Sequence, residues 1–314
     1  MKRAPLSVRA MLAVMCGIAA AASGCSQEQL AREAEARAKK YGVPAVRITR
    51  DIVYADYGQR RLKLDVYRPP AAADEPVRPG IVVVRGGKWQ QGDKQGFGYI
   101  AGQLAMAGFV TASIEYRTVD EAKFPAAVHD VKAAVRWMRS HAAEYGIDPR
   151  ALGAIGGSAG AHLVAMLATT QARDLEGDGG NPATPSEVQA VVAMGGAYDL
   201  EPGPDVGREF VEAVTTFIGA PLAAHAAALA AASPARHVTS RSAPLLLLHS
   251  PTDPVAPYAR AVQMERSYRR AGAPVTLKAI DAPGVHGFWG DPRHFPDVKQ
   301  QAVNFFHQRL SARP

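Results

Sequence analysis

The chain has 314 residues, 47% of them hydrophobic and 21% charged, with 29 Gly and 23 Pro scattered without period. This excludes a disordered polypeptide, which combines low hydrophobicity with high net charge, and it excludes collagen-like and coiled-coil chains. The net charge is +7, from 36 Lys+Arg against 29 Asp+Glu, and without Lys2, Arg3 and Arg9 the balance falls to 33 against 29. With no basic run, this surface implies no nucleic-acid partner. The length permits one large α/β domain or two smaller ones.

The N-terminus reads as a basic start, an uncharged run over 10–24 and small residues before Cys25. That is the three-part layout of a secretory signal. The run is shorter than the roughly 20 apolar residues a membrane span needs. Ala22-Ser23-Gly24-Cys25-Ser26 resembles a bacterial lipobox, with Ala22 where the pattern prefers Leu. The resemblance implies export, lipidation of Cys25 and a membrane anchor; ordinary signal cleavage near 20–24 is the alternative. Cys16 leaves with the signal, so Cys25 then has no partner for an intramolecular disulfide in an oxidising compartment. Residues 26–45, polar among alanines, predict a helical spacer or a first surface helix.

Residues 46–53 and 61–67 alternate apolar and polar side chains around a turn at 56–59, predicting a hairpin. Residues 81–84 are a continuous apolar run, as in a strand buried on both faces. A helix is predicted over 97–107, ended by Gly108, and a strand over 109–115. Pro125 opens a helix predicted to run to Tyr145 and close at Gly146. A strand at 152–155 leads into a helix at 159–169. Strands follow at 188–194, 245–249 and 275–280, with a closing helix at 297–310. Strands alternating with helices predict a mostly parallel sheet of about eight strands with helices on both faces. The stretch 201–243 has no strand pattern and predicts a helical cap insertion. The chain thus divides into a signal segment (1–25), a spacer (26–45) and one α/β domain (46–314).

Gly156-Gly157-Ser158-Ala159-Gly160 falls where strand 152–155 meets helix 159–169. This is the strand–turn–helix setting of a G-x-S-x-G nucleophile elbow. The serine occupies a sharp turn, and side chains at the flanking glycines would collide with the neighbouring strand and helix. The helix N-terminus aims N–H groups at the site, which makes the Ala159 N–H an oxyanion donor. The partners of such a serine follow in the order acid, then His. Asp253 follows strand 245–249 and His286 follows strand 275–280, both beyond the C-terminal ends of predicted parallel strands. His286 is then the base for Ser158, and Asp253 the carboxylate that orients it. Asp199 is the competing acid. His129 and His162 lie inside helices, and His249, at a strand end, reads as structural. No H-E-x-x-H, paired-Cys, phosphate-loop or dinucleotide pattern is present, so neither a metal nor a cofactor is expected.

After strand 81–84 the chain reads Arg85-Gly86-Gly87-Lys88-Trp89. Leu64-Asp65-Val66-Tyr67-Arg68-Pro69, Glu115-Tyr116-Arg117, Phe124-Pro125-Ala126-Ala127, the run from His129-Asp130 to Arg136-Trp137, and Gly146-Ile147-Asp148-Pro149 accompany it in colinear order. With these segments the chain over about 48–310 resembles the α/β-hydrolase esterase/lipase family, in its hormone-sensitive-lipase and acetyl-xylan/feruloyl-esterase-like branch. That branch carries His-Gly-Gly-Gly followed by Trp or Phe. Its second and third glycines donate oxyanion N–H groups, which map to Gly87 and Lys88. Arg85 stands in place of the family's His and Lys88 in place of its third Gly. Lys88 keeps its N–H, but a positive φ there costs roughly 1–2 kcal/mol. A lost oxyanion donor costs about 2.7–4 kcal/mol of transition-state stabilisation. The two cations favour an anionic substrate or point to solvent; Trp89, Phe288 and Trp289 line an acyl or aryl pocket or pack in the core.

The resemblance implies serine-dependent hydrolysis of carboxylic esters through an acyl-enzyme. The partner is a small-molecule ester, such as an acetyl or feruloyl group on a glycan. A serine peptidase or formamidase on the same fold stands beside this reading. So does a catalytically silent envelope protein, because of Arg85 and Lys88.

Overall fold

The predicted hairpin opens the described chain: β1 (Arg47–Asp56) pairs antiparallel with β2 (Arg61–Arg68). The computed structural model describes residues 46–70, 76–170, 175–221 and 225–311. The signal segment, Cys25 and the 26–45 spacer lie outside the described residues. Strands β3 (Arg78–Val84), β4 (Val110–Ile114), β5 (Ile147–Gly157), β6 (Ala190–Met194), β7 (Leu245–His249) and β8 (Val275–Ala279) complete an eight-stranded sheet of order β1-β2-β4-β3-β5-β6-β7-β8. Strands β3 to β8 are mutually parallel, and β2 runs antiparallel to both its neighbours. The C-terminal ends of six strands therefore gather at one rim. Register keeps them level: Gly157 pairs with Met194, Met194 with Leu248, and His249 with Ala279.

Both faces of the sheet are buried, which is why the central strands show no polar alternation in sequence. In β3, Val82 and Val84 enter one core while Ile81 and Val83 enter the other; in β7, Leu245 and Leu247 oppose Leu246 and Leu248 in the same way. The connections carry α1 (Gly98–Met106), α2 (Ala126–Ser140), α3 (Ala142–Tyr145), α4 (Ala159–Thr169), α5 (Arg208–Ile218), α6 (Ala226–Ala231), α7 (Tyr258–Ala271) and α8 (Phe295–Leu310). Helices α1 and α8 pack on one face, and α2, α4 and α7 on the other. Each fully buried Val or Leu contributes about 1.5–3 kcal/mol, so the two layers hold the rim in place.

Several elements differ from expectation. The helix predicted to run unbroken from Pro125 to Tyr145 is two helices, α2 and α3, parted at His141, where φ is −103° and ψ is 17°. The His141 ring stacks on Trp137, and the Trp137 carbonyl accepts both the His141 N–H and the Ser140 hydroxyl. Strand β5 extends well beyond 152–155, because Ile147 and Asp148 already pair with Arg78 and Pro79 ahead of a register shift. Helix α7 was not predicted. Its buried face is Arg260, Ala261, Met264 and Tyr268. Arg260 is buried there because its guanidinium grips both oxygens of Asp205, at 2.6 and 2.7 Å. The 201–243 stretch carries α5, α6 and a short turn of helix at Pro234–Arg236.

Candidate active site

Strand β5 ends at Gly157 and α4 begins at Ala159, leaving Ser158 alone in the turn with φ 53° and ψ −123°. Such a conformation costs a non-glycine residue about 1–3 kcal/mol and persists only where its surroundings fix it. Here the Ser158 N–H donates to the Met194 carbonyl at 2.8 Å, and the Ser158 carbonyl accepts the His162 N–H at 3.1 Å. The flanking glycines are required by close approach. A Cβ on Gly156 would lie 2.3 Å from the Gly160 oxygen, and one on Gly160 would lie 2.2 Å from the Val84 oxygen. The turn thus presses α4 directly against the end of β3.

Three of the side chains singled out in sequence meet at this rim. His286 Nε2 lies 2.9 Å from Ser158 Oγ, and its Nδ1 lies 2.8 and 3.0 Å from the two Asp253 oxygens. A carboxylate only accepts, so Nδ1 carries the proton and Nε2 offers its lone pair to the serine hydroxyl. The Asp253 side chain is fully buried. Its Oδ1 also accepts the N–H groups of Val255 and Ala256, each at 2.9 Å. Burial pushes the Asp253 carboxyl upward, but the His286 hydrogen bond, the His286 charge and these two N–H groups outweigh it and hold the group below its usual range.

The competing residues have other hydrogen-bond partners. Asp199 is engaged by Gln263 at 3.1 Å and Arg236 at 3.3 Å. His249 is fully buried and its Nε2 donates to the Ala256 carbonyl at 2.8 Å, bracing the turn that holds Asp253. Among the described residues, no group of three or more His, Cys, Asp or Glu is placed to hold a metal ion.

The loop after β3 lies against the elbow: a Cβ on Gly86 would sit 2.3 Å from the Gly157 oxygen and 2.8 Å from Ser158 Cβ. Gly87, Lys88 and Trp89 then take φ values of 120°, 54° and 58°. The positive φ foreseen as a cost at Lys88 is therefore present, at roughly 1–2 kcal/mol. The Gly87 carbonyl closes the turn by accepting the N–H groups of Gln90 and Gln91, at 2.9 and 3.2 Å. Among the described residues, no acceptor takes the N–H of Gly87, Lys88 or Ala159.

Both cations of this loop are paired with acids. Arg85 contacts Asp93 and donates to Gln91 Oε1 at 2.9 Å, and Lys88 contacts Glu209 at the start of α5. No pattern in the sequence could have flagged Glu209, which is 121 residues from Lys88. All three aromatic candidates, Trp89, Phe288 and Trp289, are core residues, 4%, 0% and 7% exposed. Trp289 alone touches the site, meeting the His286 ring edge-on at 5.3 Å between centroids.

Comparison with known proteins finds esterases. The profile of the BD-FAE family matches residues 64–268. Esterase LipQ of Mycobacterium tuberculosis is 32% identical over 240 residues, which is 76% of this chain and 56% of that protein. Esterase LipC of the same organism is 32% identical over 235 residues, covering 72% and 56%. The chain spans about half the length of these relatives. Among solved structures, a truncated carbohydrate esterase from gut microbiota superposes with a TM-score of 0.74 at 28% identity, covering 86% of this chain and 98% of that one. The propionate-bound esterase Est2 of Thermogutta terrifontis gives 0.70 at 26% identity, covering 86% and 97%. The chain belongs to the BD-FAE family of α/β-hydrolases.

Proposed function

We propose that the protein hydrolyses carboxylic esters through a serine-bound acyl intermediate. The observation that carries this reading is the unbroken hydrogen-bond line from Asp253 through His286 to Ser158, at the turn between β5 and α4. Ser158 Oγ attacks the ester carbonyl while its proton passes to His286 Nε2. Asp253, ionised and buried, holds the imidazole tautomer and stabilises the imidazolium. The N–H groups of Gly87, Lys88 and Ala159 receive the negative charge that develops on the carbonyl oxygen. Collapse expels the alcohol, which takes the Nε2 proton. Water, deprotonated by the same nitrogen, then releases the acid and restores Ser158.

Small or soluble esters are the substrate class, with acyl groups on glycans foremost. The likeness to a carbohydrate esterase supports this step. The mature protein is exported and held at the cell envelope by a lipid on Cys25; the layout of residues 1–25 supports that part. Among the described residues, no helix is long and apolar enough to cross a membrane.

p-Nitrophenyl acetate tests the chemistry. A burst of nitrophenol followed by slower turnover is expected, together with labelling of Ser158 by a fluorophosphonate probe. Both vanish in Ser158→Ala, and retained turnover in that variant would overturn the nucleophile assignment. Metabolic labelling with a palmitate analogue, lost in Cys25→Ser, tests the anchor; equal labelling of the two proteins removes it.

A further inference from the structure

Gly87, Lys88 and Trp89 leave β3 with three successive positive φ values, two of them on residues that disfavour that region. A loop held in this way needs an external restraint. The Trp89 side chain supplies one. It is 4% exposed, its indole stacks on Phe217 of α5 at 4.4 Å and 18°, and its Nε1–H donates to His162 Nδ1 at 3.2 Å. His162 is fully buried in α4, four residues after the nucleophile, and its backbone N–H holds the Ser158 carbonyl at 3.1 Å. Its other ring nitrogen, Nε2, lies 2.7 Å from the Ala232 carbonyl in the 201–243 insertion. A carbonyl only accepts, so Nε2 carries the hydrogen and Nδ1 is left to accept from the indole. Burial keeps this imidazole neutral, dropping it to about 4.

One side chain thus touches three parts at once: the helix that follows Ser158, the loop that carries Gly87 and Lys88, and the 201–243 insertion. We infer that His162 is a positioning residue for the oxyanion loop, acting through the indole N–H of Trp89. In this arrangement a shift of the insertion at Ala232 reaches the loop through a buried hydrogen-bond line, and a shift at Phe217 reaches it through the stacked indole. The inference rests on the serine-esterase reading, since the loop matters to rate only if an oxyanion forms beside it.

Trp89→Phe in the full-length protein removes the N–H and keeps an aromatic ring against Phe217. A loss in kcat of about tenfold is expected with KM little changed, because a slightly misplaced donor weakens only the transition state. An aryl trifluoromethyl ketone provides an independent readout. Ser158 Oγ adds to its carbonyl, the hydroxyl proton moves to His286, and the former carbonyl oxygen becomes an alkoxide in the donor pocket. Its inhibition constant should weaken by the same factor as kcat.

His162→Leu removes the acceptor, and in Trp89→Phe/His162→Leu the second change should add little to the kcat loss, since both delete one interaction. An unchanged kcat in Trp89→Phe, a loss confined to KM, or fully multiplicative losses in the double variant would each overturn the inference while leaving the esterase reading intact. A wild-type protein that neither turns over the ester nor binds the ketone removes that reading itself, and this inference with it.

Discussion

Replacing Gly160 by Ala places a methyl group in the contact between α4 and the end of β3. The new Cβ lies 2.2 Å from the Val84 oxygen and 2.8 Å from both the carbonyl carbon and oxygen of Arg85. All three are backbone atoms, so no rotamer change relieves the overlap, and relief requires about 1 Å of separation. Overpacking of this kind costs typically about 1–3 kcal/mol. The geometry also dictates what moves. Ala159, next to the methyl group, carries one oxyanion donor, and the chain after Val84 and Arg85 leads directly to Gly87 and Lys88. The separation therefore pulls the two halves of the donor set apart, and a misplacement of about 1 Å costs on the order of 10²-fold in rate. Urea denaturation should show a lower midpoint with an unchanged slope, and kcat on p-nitrophenyl acetate should fall about 10²-fold. Gly102→Ala is the control. Its Cβ meets nothing within 4 Å in the middle of α1, and it should gain about 0.5–1 kcal/mol. Gly160→Ala with wild-type midpoint and kcat would refute the steric reasoning.

Asp253→Asn should lower kcat by about 10⁴, because an amide cannot enforce the Nδ1–H tautomer. Asp199→Asn should leave kcat nearly untouched, since Asp199 is spent on Arg236 and Gln263; the opposite ranking in steady-state assays reverses the two roles. Burial holds His162 at about 4, below the ordinary value of 6.5. As pH falls, the unfolded chain therefore takes up the proton first. Stability from this group is complete above pH 6.5, drains away down to about pH 4 and loses nothing further below it. The loss amounts to roughly 3 kcal/mol. His162→Leu should flatten the pH dependence of urea midpoints across that window; a parallel curve contradicts the buried neutral imidazole. Lys88→Gly removes the strained Cβ at the cost of a more flexible unfolded chain, for a net gain of up to about 1 kcal/mol. Lysine keeps its backbone N–H, so kcat should move far less than the 10²-fold or so that a newly gained donor brings. A large rise would show that the lysine backbone presents its donor badly.

Features set by neighbours in sequence were legible in the chain itself. The run at Leu245–His249 is a strand because contiguous apolar side chains fill both layers, and it was read with its observed bounds. The turn at Ser158 was legible because steric demand at one residue dictates glycine at Gly156 and Gly160, two positions away on either side. Where burial is satisfied by charge, the pattern is weaker: α7 buries Arg260 against Asp205 beside Ala261, Met264 and Tyr268. The break at His141 likewise depends on the ring lying on Trp137.

Tertiary structure alone decided which groups meet. Ser158 and His286 are 128 residues apart, and only the level parallel strands β5 to β8 bring one beside the other. Asp253 rather than Asp199 reaches the imidazole because the turn after β7 opens toward His286, whereas Asp199 is drawn to Arg236 and α7. The partner of Lys88 was equally hidden, since Glu209 is 121 residues away and its contact depends on where the insertion folds. Local sterics write the backbone into the sequence, residue by residue. Distances between remote side chains are a property of the assembled sheet, and the chemistry of this protein resides in those distances.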